Sequence, residues 1–150
     1  MNKEIKSFLD ERLKTNHFIQ HMGLVLEDVD TGTAEMSINV KEHHLQQNGF
    51  LHGGVTATLC DVTTGIAAYT TVNKEKNVVT ADLKVSYLNP STSKTVKAVG
   101  KVRKTGNFLI YCDCDVFDVM NDGELILIAT ATAIMASVDI PTNKQYSDEV

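Results

Sequence analysis

Asp61 is the one carboxylate in a run from Gly53 to about Val72, in which Val55, Leu59, Val62, Ile66 and Tyr69 recur at steps of four and three and so share one helical face. No Lys or Arg occurs between Lys41 and Lys74, and the residues three and four away on the helix, Ala57, Thr58, Thr64 and Gly65, offer no salt bridge. A desolvated carboxylate without a counter-charge is costly, so one retained in an apolar helix is a candidate general base or nucleophile. The alternative is that the helix surfaces here and Asp61 meets water or a distant Arg103. Residue pattern alone leaves both open.

Gly53 and Gly54 open the same helix, where unpaired backbone N–H groups and the positive end of the dipole coincide. Glycine lets a ligand carbonyl approach that backbone, which would make an oxyanion-type site. Capping or close packing is the competing explanation. A second stripe of the helix, Gly54, Thr58, Asp61, Gly65 and Ala68, is small everywhere except at the carboxylate.

Around this helix the chain reads as strands. Met1 to Lys14 alternates charge with Ile5, Phe8, Leu9 and Leu13, an amphipathic helix rather than a signal peptide. Residues 22–29 and Thr33–Val40 form a hairpin about Asp30-Thr31-Gly32. After the polar stretch 41–51 and the long helix come four strands: 78–88, with Val79, Ala81, Leu83, Val85 and Tyr87 alternating, then 95–103, 108–119 and 125–135, the last two joined at Asn121-Asp122-Gly123. One apolar helix and antiparallel connections imply an α+β fold, a curved sheet wrapped around that helix. A single domain is expected over 1–150, with a core of about 17–136, an N-terminal helix in 1–16 and a loose tail in 137–150.

Composition narrows the function. A net charge of −5 and a pI near 5.4 give no broad basic surface for nucleic acid. The longest apolar candidate, 54–72, is interrupted by Asp61, Thr and Gly, so no membrane span is expected and the cytoplasm is the default location. Cys60, Cys112 and Cys114 suit neither a disulfide framework nor a zinc site, and Cys112 and Cys114 should share a buried face. His43 and His44, adjacent and diverging, read as surface-loop residues rather than metal ligands.

Gln46-Gln47-Asn48-Gly49-Phe50-Leu51-His52-Gly53-Gly54-Val55, followed by Ala57-Thr58-Leu59-Cys60-Asp61, resembles the signature of the phenylacetate-degradation-type hotdog thioesterases. The similarity runs from about residue 17 to Met135 and includes Val85-Ser86-Tyr87-Leu88-Asn89-Pro90. It implies a hotdog fold, a homodimer or homotetramer with active sites at subunit interfaces, and hydrolysis of an aromatic or medium-chain acyl-CoA to free acid and CoA with no separate cofactor. In such enzymes the acid matching Asp61 acts on a thioester held by the partner's loop, as general base or nucleophile. The N–H matching Gly53 polarises the carbonyl, and His52 helps position the thioester. The family often has Asn where this chain has Gln46, so either Gln46 or nearby Asn48 is expected to orient water, and Thr80 falls where a hydroxyl often bonds near the acid. Gly54, Lys84, Arg103 and Lys104 are the candidates for contacting substrate or CoA, the last three by charge and strand-end location, as is Lys101.

Two other activities are compatible with a hotdog fold. A non-catalytic acyl-CoA-binding module of the regulatory kind would carry a DNA-binding segment, for which the residues before the first strand are too few. A hotdog dehydratase or hydratase would use His52 with Asp61, but the Pro-containing His loops typical of those families are absent.

Overall fold

A computed structural model describes residues 1–140. The expected tail falls mostly outside these residues, and its first part, 137–139, belongs instead to the last strand.

Two short helices lead the chain. Asn2 caps α1 (Lys3–Lys14) by accepting the Ile5 N–H, and Asn16 caps α2 (His17–Met22) by accepting the Ile19 N–H. Gly23, at φ 67°, ends α2 in a left-handed cap that other residues adopt poorly. Periodicity in the sequence predicts only the first of these helices. Asn16 and Gly23 were the signals for the second.

The strands β1 (Leu24–Asp30), β2 (Thr33–Asn39), β3 (Lys76–Tyr87), β4 (Thr95–Thr105), β5 (Leu109–Val119) and β6 (Leu125–Asp139) form one antiparallel sheet in the order β1-β2-β4-β5-β6-β3. The central helix α3 (Gly53–Tyr69) packs against one face of the sheet and touches all six strands. Inward-pointing Met36, Ile38, Val96, Ala98, Cys114 and Val116 are buried beneath it with Leu59 and Cys60. The α+β hotdog architecture expected from the sequence is the one observed. Gly100 of β4 lets α3 approach, since a Cβ there would come within 2.9 Å of Thr63 Cγ2.

Edge strand β3 departs from simple alternation. A bulge at Ala81 shifts the β3–β6 register between Thr80 and Asp82, so Leu83, Val85 and Tyr87 face inward on one side of it and Val78 and Thr80 on the other. Val79, which period-two reading placed with the inward set, is exposed. The outer edge of β3 has no strand partner among the described residues.

Between β2 and α3 the chain makes a 3-10 turn, Glu42–His44. Here the surface-loop reading fails for one histidine: His43 is exposed, but His44 is buried with Nδ1 accepting the Lys41 N–H at 2.9 Å. That bond closes the turn, and burial holds the ring below its ordinary pKa, favouring the neutral form that can accept.

Candidate active site

Asp61 stands midway along α3, half-buried, and its Oδ1 accepts a 2.6 Å hydrogen bond from Thr80 Oγ1. The surrounding cleft, about 290 Å³, has apolar walls from Leu9, Leu13, Ile19, Val62, Ile66 and Val78. Among the described residues no ion pair reaches Asp61. Arg103, its proposed distant partner, is instead bound to Asp113.

A second cleft, about 380 Å³, lies at the start of α3 and includes Gln46, Phe50, Gly53, Thr56 and Tyr87. His52 is the N-cap of α3 and its Nδ1 accepts the Gly54 N–H at 2.9 Å. A neutral ring accepting at Nδ1 carries its proton on Nε2, leaving a donor on its far side. With the Gly54 N–H occupied, the Gly53 N–H has no acceptor among the described residues and sits at the positive helix end. Gly54 lets the cap fit closely, because a Cβ would stand 3.1 Å from His52 Nδ1 and press on the ring.

Tyr87 fixes the Gly53 peptide from the other side. Its hydroxyl donates to Gly53 O at 2.9 Å, and its ring lies 3.4 Å from the position of a Gly53 Cβ. Sequence reasoning used Tyr87 as a strand residue and missed this contact. Its presence in the segment Val85 to Pro90 was the available clue. Asp118 was missed as well: buried, it accepts a 2.5 Å hydrogen bond from Ser91, whose carbonyl in turn accepts the Leu51 N–H and anchors the loop before His52.

Gln46 and Asn48 separate clearly. Gln46 lines the Gly53 cleft, and its Oε1 accepts the Asn48 N–H at 2.9 Å, whereas exposed Asn48 lines neither cleft. Gln46 therefore keeps its amide nitrogen available beside Gly53. Lys84 stands opposite exposed Thr132, and Lys104 opposite exposed Tyr111, on the sheet face away from α3. Neither of these, nor Lys101, Arg103 or Gly54, lines either cleft.

The three thiols are buried, Cys112 and Cys114 on one face as expected. Burial pushes Cys112 up to about 11, while a hydrogen bond with Cys60 raises Cys114 well above the ordinary thiol range, so neither supplies a thiolate. No group of His, Cys, Asp and Glu suited to a metal occurs among the described residues, and no described helix is long and apolar enough to cross a membrane.

The two clefts are separate halves. Eight residues of α3 divide Gly53 from Asp61, about 12 Å along the axis, too far for both to touch one carbonyl group.

The model of the thioesterase superfamily matches residues 48–122, a span holding Gly53, Asp61, Thr80 and Tyr87. A protein of Saccharolobus solfataricus is 30% identical over 125 residues, covering 83% of this chain and 87% of its own length. Human acyl-coenzyme A thioesterase 13 is 26% identical over 117 residues, 77% of this chain and 83% of that one. Among solved structures, a thioesterase family protein from Silicibacter pomeroyi superposes with a TM-score of 0.85 at 26% identity, covering 91% of this chain and 99% of its own. The PaaI protein of the E. coli phenylacetic acid degradation operon shares the fold, with a TM-score of 0.79 at 16% identity over 91% of this chain and 94% of that one.

Proposed function

This chain belongs to the thioesterase superfamily and is a thioester hydrolase, and we propose that its substrate is an aromatic or medium-chain acyl-CoA, hydrolysed by Asp61 without a separate cofactor. The observation that carries this reading is the Asp61 carboxylate, held by Thr80 in a cleft with apolar side chains around it and, among the described residues, no ion pair to it. The acyl-CoA class is suggested by human acyl-coenzyme A thioesterase 13.

In this mechanism Asp61 takes a proton from water as its oxygen attacks the thioester carbonyl carbon. The developing oxyanion accepts from the Gly53 N–H, assisted by the helix dipole. Collapse breaks the C–S bond, releasing the carboxylic acid and the CoA thiol. Gln46 orients the incoming water or the carbonyl from beside Gly53, and the His52 Nε2 hydrogen helps hold the thioester. Direct attack by the Asp61 carboxylate, followed by hydrolysis of the resulting anhydride, uses the same groups.

Because one chain cannot bring its own Gly53 and Asp61 to one carbonyl, each site is composite. Antiparallel pairing of two β3 edges centred near Leu83 brings Asp61 and Thr80 of one protomer opposite Tyr87 and Gly53 of its partner. The unpaired edge of β3 supports that homodimer, alone or as half of a tetramer. The cytoplasm, with its CoA pool, is the proposed location.

The test is thiol release from a panel of acyl-CoA substrates. Asp61→Asn and Asp61→Ala should lose roughly 10²- to 10⁴-fold in rate while keeping the far-UV spectrum of the parent. Undiminished turnover in both variants would overturn the assignment of Asp61.

A further inference from the structure

Arg12 of α1 closes the end of the Asp61 cleft remote from the carboxylate. Its guanidinium carbon lies 4.9 Å from the centre of the Tyr69 ring, and Nη2 donates to Asn77 Oδ1 at 3.4 Å. These two contacts orient the group without neutralising it. The acids beside it on α1 are engaged elsewhere, Asp10 with Lys6 at 2.8 Å and Glu11 with Lys14 at 2.5 Å. Among the described residues Arg12 has no carboxylate partner.

Two independent rulers measure the cleft. Along α3, Tyr69 lies eight residues beyond Asp61, about 12 Å. Along β3, Asn77 lies three residues before Thr80, about 10 Å. Between the ends lie Leu9, Ile19, Val62 and Ile66 with Asn16, and a Cβ at Gly65, which lines the cleft, would meet nothing within 4 Å. The helix thus leaves an open lane from the carboxylate to the cation. Allowing a contact of about 3 Å at each end leaves roughly 4 to 6 Å, the extended span of about four to six carbons, so a six-carbon chain sits at the upper end of the lane.

We infer that this lane receives the acyl group and that Arg12 reads its far end, selecting acyl chains that terminate in a carboxylate. The inference rests on the acyl-CoA hydrolase reading above and adds a substrate class to it. A planar guanidinium presents paired donors that match a carboxylate, and orientation by Tyr69 and Asn77 reduces the ordering cost of using them. Solvent exposure of Arg12 limits the effect to about two- to fivefold.

The experiment compares kcat/KM for hexanoyl-CoA and adipoyl-CoA, which differ only at the terminal carbon, in the wild-type protein, Arg12→Gln and Arg12→Glu. The wild type is expected to favour adipoyl-CoA by about two- to fivefold, Arg12→Gln to bring the ratio near one, and Arg12→Glu to invert it. A wild type that releases CoA from both equally, or prefers hexanoyl-CoA, overturns the inference while leaving the hydrolase reading intact. An adipoyl preference that persists in Arg12→Gln removes Arg12 as its cause. If neither substrate nor any other acyl-CoA releases thiol, the hydrolase reading itself falls.

Discussion

Thr80 Oγ1 lies 2.6 Å from Asp61 Oδ1, and a bulge of one residue puts it there. In a regular strand with Leu83, Val85 and Tyr87 facing α3, Ala81 and Val79 would follow them inward and Thr80 would face away. The register shift at Ala81 reverses the alternation, so that Thr80 pairs with buried Met135 and points at the carboxylate. The hydroxyl supplies a donor to an acid that α3 alone leaves unpaired.

Thr80→Val should therefore remove the donor while preserving shape and strand propensity. The expected result is a fall of about tenfold in kcat, the scale of one lost hydrogen bond to a charged group, with KM little changed. Thr80→Ser should retain most of the rate. A steady-state thioesterase assay on the three proteins, beside their melting curves, checks this.

The approach of α3 to the sheet depends on Gly100. An added methyl would lie 2.9 Å from Thr63 Cγ2 and 3.1 Å from the Thr63 carbonyl, with backbone unable to yield. Gly100→Ala is expected to destabilise the fold by about 2 kcal/mol through overpacking, read as a lower midpoint in urea denaturation. An unchanged midpoint would show that the helix and strand separate freely here.

Acidification should loosen the loop that carries Gln46 and His52. His44 accepts from Lys41 through Nδ1, and its backbone carbonyl accepts the His52 N–H at 2.8 Å. Burial lowers its pKa from the ordinary 6.5. The unfolded chain then binds the proton first, so the stabilisation is complete above about pH 6.5 and is lost as pH falls through the lower folded value. The wild type should consequently lose more thermal stability between pH 7.5 and 5.5 than His44→Asn, which does not titrate. Calorimetry at the two pH values, with equal losses as the contrary result, decides it.

How much of this was visible in the chain itself varies with the range of the interaction. The hairpin, the long helix and the strand order of types follow from local periodicity and turn residues, and Asp61 stood out because nothing within a helical turn could pair with it. What was not legible depends on contacts remote in sequence. The bulge at Ala81 has no residue signature, since neither Gly nor Pro marks it. Burial of His44 follows from a turn whose acceptor is a side chain, and Tyr87 became a site residue only once β3 lay beside the start of α3. Lys84, Arg103 and Lys104, singled out by charge, line neither cleft of the single chain.

Gly53→Pro offers the sharpest test of a composite site. Gly53 is the first residue of α3, where proline is well tolerated, and His52 before it has the extended backbone, φ −68° and ψ 134°, that proline requires. The substitution removes the N–H hydrogen proposed to hold the oxyanion and brings a Cβ into ordinary contact with Tyr87, 3.4 Å away. Activity should fall about 10²- to 10³-fold with the helix retained. If each site combines Asp61 of one protomer with Gly53 of its partner, Gly53→Pro and Asp61→Asn are each inactive alone but complement when mixed. A heterodimer has one site carrying both lesions and one carrying neither. Random exchange at equal concentrations makes half the dimers mixed, so activity should recover to about a quarter of wild type. Sites contained within one chain would give no recovery at all, because every chain in the mixture carries a lesion.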